Sequence, residues 1–471
     1  MTISLVDYAV FIFSLSLSVC TGVYHAIRAY YSKSELSKNE EYMMGGKNMP
    51  AFPVALSLLT TFLSGILMLG VPAEMFQRGA NIWMNFIVGV IASLLTATIF
   101  LPVFYKMKIF GMITTLYTTI GGLKAVVWTD SLQALLMYGG VFTLVYVGLQ
   151  NPKVGGFNRV WNIAYNTGRI QDAWRNEFTI FQLAVQRYFS LPRFSDATKI
   201  IYHTIIPFLL LCSLVAFIGF IALAYYFNCN PLETGEINDS DQLIILFARE
   251  VLTPTRGLFG LYVSCIMSAT LSTLSSGMNS MAAAIYEDFF KKNLYGKISD
   301  AKTATMNKII VMTIGILSTS LAYSAEPLGG ILRVCISVMG ATGGPFVGIF
   351  VLAMFWPKAG EKSTFISFVS SCIIMMIICI INYIEDPYGQ YFLETNSTRE
   401  GCKNINFTRR ALPPYDAYYG NPEKSLISRI STYSYPGIGM IIMLIIGASL
   451  THFWKEQNPE EIKHLTFYGR Q

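Results

Sequence analysis

Hydroxyl side chains cluster in two stretches of the sequence that are otherwise apolar. The first stretch, Leu58–Gly65 (LLTTFLSG), contains two threonines, a serine and a glycine. Small residues of this kind either allow two helices to pack closely or mark a broken helix whose freed carbonyl groups coordinate a cation. Both interpretations are consistent with this stretch.

The second cluster is denser and favours ion binding. Seven of the thirteen residues from Ser268 to Ser280 carry hydroxyl groups. On a helix, one stripe with i, i+3, i+4, i+7 spacing contains Ala269, Ser272, Thr273 and Ser276. Hydroxyl and carbonyl oxygens are suitable ligands for the hard cation Na⁺ and require no buried formal charge. A serine-rich packing stripe is the structural alternative.

A third motif, residues 121–133 (GGLKAVVWTDSLQ), carries an ionisable group into an apolar segment. Asp130 and Gln133 lie one helical turn apart at the start of that segment. A carboxylate there is a functional-site hypothesis, and an interfacial aspartate that reaches toward water is the alternative. The four histidines have no metal-ligand spacing, and no phosphate-binding loop is present, which argues against ATP-driven transport.

The composition requires that these motifs lie in membrane-spanning helices. Of the 471 residues, 53% are hydrophobic and 13% are charged, whereas soluble domains carry roughly 25% charged residues. A soluble enzyme, a disordered chain and a disulfide scaffold are therefore excluded. The net charge of +6 is interpreted as a topology signal from loop lysines and arginines. No basic run is dense enough for nucleic acid, so no nucleic-acid partner is expected.

The predicted fold class is all-α, a polytopic membrane bundle. A spanning helix needs about 20 apolar residues, and ten segments meet this requirement: 6–28, 52–76, 81–105, 125–149, 200–227, 257–285, 305–324, 328–356, 362–384 and 434–454. They predict a single transmembrane domain over residues 1–471, with an extracellular loop at 385–432 and a cytoplasmic tail at 455–471.

Loop charges predict the orientation of the bundle. Lysines and arginines after segments 6–28 and 257–285 place those loops in the cytoplasm. The N-terminus is then outside and the C-terminus cytoplasmic, in a multi-pass protein of the plasma membrane. Glycosylation sequons in the loops placed outside begin at Asn238, Asn396 and Asn406. Candidates for a disulfide in the same loops are Cys229 and Cys402, although the sequence alone does not determine their pairing.

The number of crossings disagrees with these loop charges in one region. Two crossings are needed between segments 125–149 and 257–285, and only 200–227 is long enough. The other apolar stretch there, Phe178–Val185, would rise about 12 Å as a helix, against a hydrocarbon core of about 30 Å. A span is therefore missing near these residues. A second anomaly lies at 106–124, where the apolar stretch is too short to cross and return.

In order and spacing, the three motifs resemble the solute:sodium symporter family, and within it the monocarboxylate and multivitamin branch. The resemblance covers nearly the whole chain, and the segments that carry it also include 42–53 (YMMGGKNMPAFP), 70–74 (GVPAE), 186–189 (QRYF) and 287–288 (ED). It implies a leucine-transporter-like fold built from two five-helix inverted repeats. It also implies sodium-coupled symport by alternating access, with Na⁺ as coupling ion and no other cofactor.

The resemblance also implies site residues. The main sodium site would use carbonyl oxygens of Thr60, Leu63 and Ala269 and hydroxyl groups of Ser272 and Thr273. A second sodium site, present in some members, would use Asp130 with Ser272, Ser275 and Ser276. Sugar-transporting members have polar residues in the substrate pocket where this chain has Phe62 and Leu67. That departure favours a small organic anion as the substrate.

Relative to the family pattern, a stretch of residues is missing from the chain at 110–111, and another is missing near 178–182. These two places coincide with the two anomalies in the crossing count, and they imply an incomplete core without helix 3, part of helix 4, and helix 6. Because core helices 3 and 6 line the substrate pocket in this fold, this polypeptide is expected to transport poorly or not at all.

Three other functions fit parts of the sequence. A non-transporting regulatory isoform would associate with a full-length symporter. A channel would need continuous polar faces, and only segment 257–285 has one. A membrane enzyme would need clustered titratable groups, and Asp130 is the one such group identified within a span.

Overall fold

The protein is described by a computed structural model. It describes residues 4–31, 51–87 except 85, position 90, 122–170, 194–291, 300–325, 331–385 except 357, 432–453, and a few positions between 393 and 430. Within these ranges the α-helices are α1 Leu5–Tyr31, α2 Ala51–Phe62, α3 Gly65–Arg78, α4 Gly122–Gln150, α5 Gly156–Asn166, α6 Phe194–Tyr226, α7 Leu243–Leu252, α8 Leu258–Ile285, α9 Asp300–Ala325, α10 Ile331–Phe355, α11 Glu361–Glu385 and α12 Tyr435–Phe453. A π-helix, Tyr286–Lys291, follows α8, and short 3₁₀ helices precede α7 and α12.

Six of the described helices are long and apolar enough to cross a membrane, namely α1, α4, α6, α10, α11 and α12. α8 and α9 contain shorter apolar windows, at Leu258–Leu274 and Thr305–Leu321. Eight of the ten predicted segments correspond to single helices, each with bounds within six residues. Of segment 81–105, only the first few positions are described.

Predicted segment 52–76 forms two helices. α2 ends at Phe62 and α3 begins at Gly65, with Leu63 and Ser64 outside both helices. Ser64 has an extended backbone, and its Oγ accepts a hydrogen bond from the Leu67 amide at 3.2 Å. A side-chain oxygen in this position is an N-cap, which satisfies one of the free amides at the start of a helix. The broken helix, one of the two interpretations of the glycine and hydroxyl residues, is therefore present.

The main hydrophobic core is formed by α3, α4, α6, α7 and α8. α4 and α8 pack against each other, and the absence of a side chain at Gly140 allows contact with Tyr262 and Cys265. α1 lies against both α4 and α8. α10, α11 and α12 pack together around a second cluster containing Ala341, Met375 and Tyr435. The pair α4 and α8 thus forms the centre against which the broken helix packs.

One end of the bundle, here called the disulfide end, carries Cys229 and Cys402. α3, α4, α6 and α11 end there, and α1, α8 and α12 begin there. Contacts that bring these segments together join Lys153 to Tyr225, Asp7 to Gly257, and Thr398 to Asn228. α11 has 25 residues and is therefore about 37 Å long, so the turn at 356–360 before it lies at the opposite end. The starts of α4 and α6 lie at that opposite end as well.

Several predicted features fall outside the described residues. They are the two places where residues are missing relative to the family pattern (110–111 and near 178–182), Asn406, most of loop 385–432, and tail 455–471.

Candidate ion-binding site

Asp130 lies at the centre of a buried polar network. Its side chain is 0% exposed, so the interpretation of an interfacial aspartate reaching toward water is wrong. Ser57 on α2 donates a hydrogen bond to Asp130 Oδ2 at 2.6 Å, and Ser272 on α8 donates to Oδ1 at 2.8 Å. The carboxylate therefore links the first half of the broken helix to the serine-rich helix.

Thr60 extends this network toward the helix break. Thr60 Oγ1 donates to the Ser57 carbonyl oxygen at 2.9 Å and lies 3.0 Å from Ser272 Oγ. A hydroxyl group has one hydrogen, and a charged carboxylate is a stronger acceptor than another hydroxyl. Ser272 Oγ is placed as donor to Thr60 Oγ1 as well as to Asp130 Oδ1, so one proton serves two acceptors and three oxygen atoms lie close together. Oxygen lone pairs in this arrangement suit a small cation such as Na⁺.

The helix break packs directly against α8. Leu63, within the break, is buried, as is Ala269 on α8. A Cβ atom at Gly65 would overlap Thr270 Oγ1, which itself donates to the Ile266 carbonyl oxygen. Only glycine permits this close approach. The structure therefore brings the break and the middle of α8 into contact.

Thr273 supplies a further hydroxyl one turn beyond Ala269. Its Oγ1 donates to the Ala269 carbonyl oxygen at 3.1 Å, so two of the predicted ligand groups are adjacent. Ser275 and Ser276 lie on α8, and Phe62 is the last residue of α2, but their side chains lie outside the described residues. Leu67 is half-buried in the first turn of α3.

Sequence reasoning missed Ser57 as a partner of Asp130. Its position three residues before Thr60, on the same side of α2, is the signal that was available. Gln133 was noted only for its spacing from Asp130. It is 6% exposed, and its Oε1 has no hydrogen-bond partner among the described residues. An unpaired buried amide oxygen costs about 1–3 kcal/mol. Gln133, one helical turn after Asp130 on α4, therefore carries an acceptor that a ligand could satisfy.

At the disulfide end, Cys229 and Cys402 form a disulfide with Cα atoms 5.3 Å apart. Close to it, Glu233 Oε1 accepts hydrogen bonds from Thr395 Oγ1 at 2.6 Å and Asn230 Nδ2 at 3.3 Å. The sequon asparagines in the described part of this end, Asn238 and Asn396, are both exposed. The disulfide therefore joins the segment after α6 to the segment that contains Asn396.

A second buried carboxylate, Asp7, was also missed. Its Oδ1 accepts hydrogen bonds from the Gly257 and Gly260 amides at 2.9 and 3.1 Å. These amides lie at the start of α8, where they have no carbonyl partner within that helix. Asp7 therefore acts as an N-cap of α8, although it belongs to another helix, α1.

Known transporter sequences are similar to most of this chain. The sequence profile of the Sodium:solute symporter family matches residues 92–177 and 172–370. The sodium-dependent multivitamin transporter of Oryctolagus cuniculus is 30% identical over 463 residues, which cover 80% of this chain and 71% of the relative. The sodium-coupled monocarboxylate transporter 2 of Homo sapiens is 25% identical over 537 positions, covering 98% of this chain and 85% of the relative.

A solved structure shares the fold. The substrate-bound, outward-open state of a Na⁺-coupled sialic acid symporter superposes with a TM-score of 0.69 at 18% identity, over 96% of this chain and 98% of that one. The chain is thus an all-helical, polytopic membrane bundle of that type.

Proposed function

This chain belongs to the Sodium:solute symporter family, which consists of transporters and not of enzymes, and on that premise we propose that it binds Na⁺ at the helix break as the coupling ion for a small organic anion. A monocarboxylate or a vitamin is the proposed substrate class. Phe62 and Leu67 lack the polar groups that recognise a sugar, and the named relatives are monocarboxylate and multivitamin transporters.

The main sodium site is proposed to use carbonyl oxygens of Thr60, Leu63 and Ala269 and hydroxyl groups of Ser272 and Thr273. The observation that carries this proposal is the contact between the break after Phe62 and α8. A cation bound to both elements ties α2 and α3 to α8. If the outward-open state binds Na⁺ more tightly, Na⁺ raises substrate affinity by stabilising that state.

A second sodium site is proposed at Asp130, with Ser272, Ser275 and Ser276. Burial of Asp130 and its hydrogen bonds from Ser57 and Ser272 support this assignment. A buried carboxylate is costly unless it is paired, and a Na⁺ ion next to it would neutralise the charge. Gln133 Oε1, one turn further along α4, is an additional acceptor for the same region.

The disulfide end is proposed to face the outside of the plasma membrane, with the N-terminus outside and the C-terminus cytoplasmic. The disulfide between Cys229 and Cys402 and the exposed sequons at Asn238 and Asn396 support this orientation, because both modifications form in the secretory compartment. Asn238, Asn396 and Asn406 are the proposed glycosylation sites.

We further propose that the core lacks helix 3, part of helix 4, and helix 6, and that the chain transports poorly. The alignment with the human relative spans 537 positions, more than the 471 residues of this chain, so the relative contains positions without a counterpart here. In addition, Ile170 lies near the disulfide end, whereas Phe194, the first residue of α6, lies at the other end. The 33 residues of α6 separate the two ends by about 50 Å. The sequence between them contains a single apolar run, Phe178–Val185, which is too short for a span.

Sodium binding is tested separately from transport. In purified protein, replacing choline with Na⁺ at constant ionic strength is expected to raise the melting temperature, because a ligand that binds only the folded state stabilises it. Thr273→Ala is expected to weaken the apparent sodium affinity about tenfold, or about 1.4 kcal/mol. Thr313→Ala is the matched control, since Thr313 makes the same hydroxyl-to-carbonyl bond on the exposed face of α9. Equal effects of the two variants would refute the assignment.

Transport is tested in proteoliposomes with an inward sodium gradient and radiolabelled lactate or biotin. Uptake far below that of a full-length monocarboxylate transporter is expected. Sodium-driven uptake at the full-length rate would overturn the proposed deficiency, while a transport defect with intact sodium stabilisation would support it.

A non-transporting regulatory isoform is the second candidate, and the observation that favours it is that the sequence of residues 171–193, before α6, contains no apolar run long enough to cross a membrane. A tagged form is then expected to co-purify with a full-length symporter when the two are expressed together. Recovery of this chain alone would argue against that role.

A further inference from the structure

Arg169 is a buried cation at the disulfide end, away from the candidate ion-binding site. It follows α5, and its side chain is 0% exposed. Nε donates to the Phe76 carbonyl oxygen at 2.6 Å, and Nη2 donates to the Leu393 carbonyl oxygen at 2.9 Å. Burial lowers the pKa of Arg169 to about 9, so the guanidinium is still charged at neutral pH.

The first acceptor belongs to the last turn of α3. The final carbonyl groups of a helix have no partner within it, and here two of them are bonded by groups from elsewhere in the chain. Arg169 Nε binds the Phe76 oxygen, and the Leu393 amide binds the Gln77 oxygen at 2.9 Å. In return, the Ala80 amide donates to the Arg169 carbonyl oxygen at 2.7 Å. A cation at the C-terminal end of a helix also interacts favourably with the helix dipole.

Backbone geometry at Gly79 keeps this contact close. Gly79 has φ of 89°, a left-handed conformation that glycine adopts readily and other residues rarely. A Cβ atom there would overlap the Arg169 carbonyl oxygen. The chain after α3 and the segment around Arg169 are therefore in direct backbone contact.

The second acceptor belongs to a segment here called the strap, the described residues among 393–402. Thr395 Oγ1 donates to Glu233, the Thr398 amide donates to the Asn228 carbonyl oxygen at 3.2 Å, and Cys402 is joined to Cys229. All three contacts reach the segment that follows α6. Arg169 thus connects α3 to a strap that is itself tied to the end of α6.

We infer that Arg169 is a positioning residue that fixes α3 at the disulfide end and thereby sets the position of the helix break against α8. α3 has 14 residues and is therefore about 21 Å long. Pro72 lies inside it, yet the helix is continuous from the break to Arg78. Displacement of its last turn is therefore transmitted to Gly65 and the break. The sodium part of this inference rests on the proposed function.

Amide hydrogen exchange tests the mechanical part without requiring sodium. Arg169→Met keeps the chain length and removes the hydrogen bonds. Exchange is expected to accelerate at least tenfold in peptides covering 76–80, and also in peptides covering 65–69 at the far end of α3. Arg159→Met is the matched control, because Arg159 lies on α5, just before Arg169 in the chain, and also donates to backbone carbonyls, those of Val154 and Ala224, while none of its described hydrogen bonds reaches α3.

Sodium affinity provides the second readout. Arg169→Met is expected to raise the sodium concentration for half-maximal thermal stabilisation about tenfold, whereas Arg159→Met leaves it within twofold. Arg169→Lys is expected to fall between Arg169→Met and the unchanged protein, because one ammonium group retains the charge without the guanidinium fork.

Faster exchange confined to 76–80 would overturn the inference, as would equal effects of Arg169→Met and Arg159→Met. If the unchanged protein shows no sodium stabilisation, the proposed sodium site fails, and the exchange comparison still decides the role of Arg169.

Discussion

At the residue scale, two buried carboxylates have different kinds of partner. Asp130 accepts hydrogen bonds from side-chain hydroxyls of Ser57 and Ser272, groups that can rotate and coordinate a cation as well. Asp7 accepts hydrogen bonds from backbone amides of Gly257 and Gly260, and the direction of these N–H groups is fixed by the backbone. The first carboxylate is therefore suited to binding an ion, and the second to fixing α1 against α8.

Removing the Asp7 carboxylate should destabilise the bundle. Asp7→Ala leaves the first amides of α8 without their cap, and loss of an N-cap costs about 0.5–2 kcal/mol. Asp7→Asn keeps an acceptor oxygen and should lower the melting temperature by a smaller amount. Thermal unfolding in one detergent provides the measurement. Glu361→Ala is the control, since Glu361 is an exposed carboxylate in the first turn of α11. An Asp7→Ala effect no larger than the control would contradict the capping role.

At the element scale, the broken helix is the feature on which the site depends. An unbroken helix over 52–76 would direct its carbonyl groups along its own axis, where they bond to amides four residues later. The break frees carbonyl groups near Leu63, and Gly65 lets them approach α8. The close packing and ion-binding interpretations of the Leu58–Gly65 motif are therefore compatible, because the glycine that allows close packing also brings the break against α8.

Adding a side chain at the break should separate α3 from α8. In Gly65→Ala the new Cβ overlaps Thr270 Oγ1, and overpacking of this kind typically costs about 1–3 kcal/mol. Lower thermal stability and weaker sodium stabilisation are expected, both measured by thermal unfolding. Thr270→Ala in the same chain removes the overlapping oxygen and should restore most of the loss. Gly139→Ala on α4 is the control, since a Cβ there meets nothing within 4 Å. A double variant as impaired as Gly65→Ala would disprove this explanation.

At the scale of the whole molecule, long-range contacts fix the relative orientation of the two halves of the chain, which the loop charges left open. Asp7 binds Gly257, and the strap binds Asn228, so the start of α1, the segment between α6 and α8, and the strap between α11 and α12 share one end. The N-terminal and C-terminal halves therefore have a defined relative orientation, whatever number of spans precedes α6.

Cysteine labelling should distinguish the two ends. Asn238→Cys, at the disulfide end, is expected to react with a membrane-impermeant maleimide on intact cells. Lys358→Cys, in the exposed turn between α10 and α11, should react only after the cells are permeabilised. Each variant is compared with the unchanged protein to subtract labelling of native cysteines. Labelling of both positions from the same side would contradict this arrangement.

The sequence by itself determined the membrane character, eight of the helices to within six residues, and the hydroxyl-rich stripe of α8, and it offered a break at Leu58–Gly65 as one of two interpretations. These properties follow from composition and from spacings of three or four residues, which are local. Only the tertiary structure decided that Ser57 binds Asp130, 73 positions away, that Asp7 caps α8, and that Arg169 bonds the last turn of α3. Such pairs depend on which helices pack together and on where glycine permits close approach, and neither is encoded in the periodicity of a single segment.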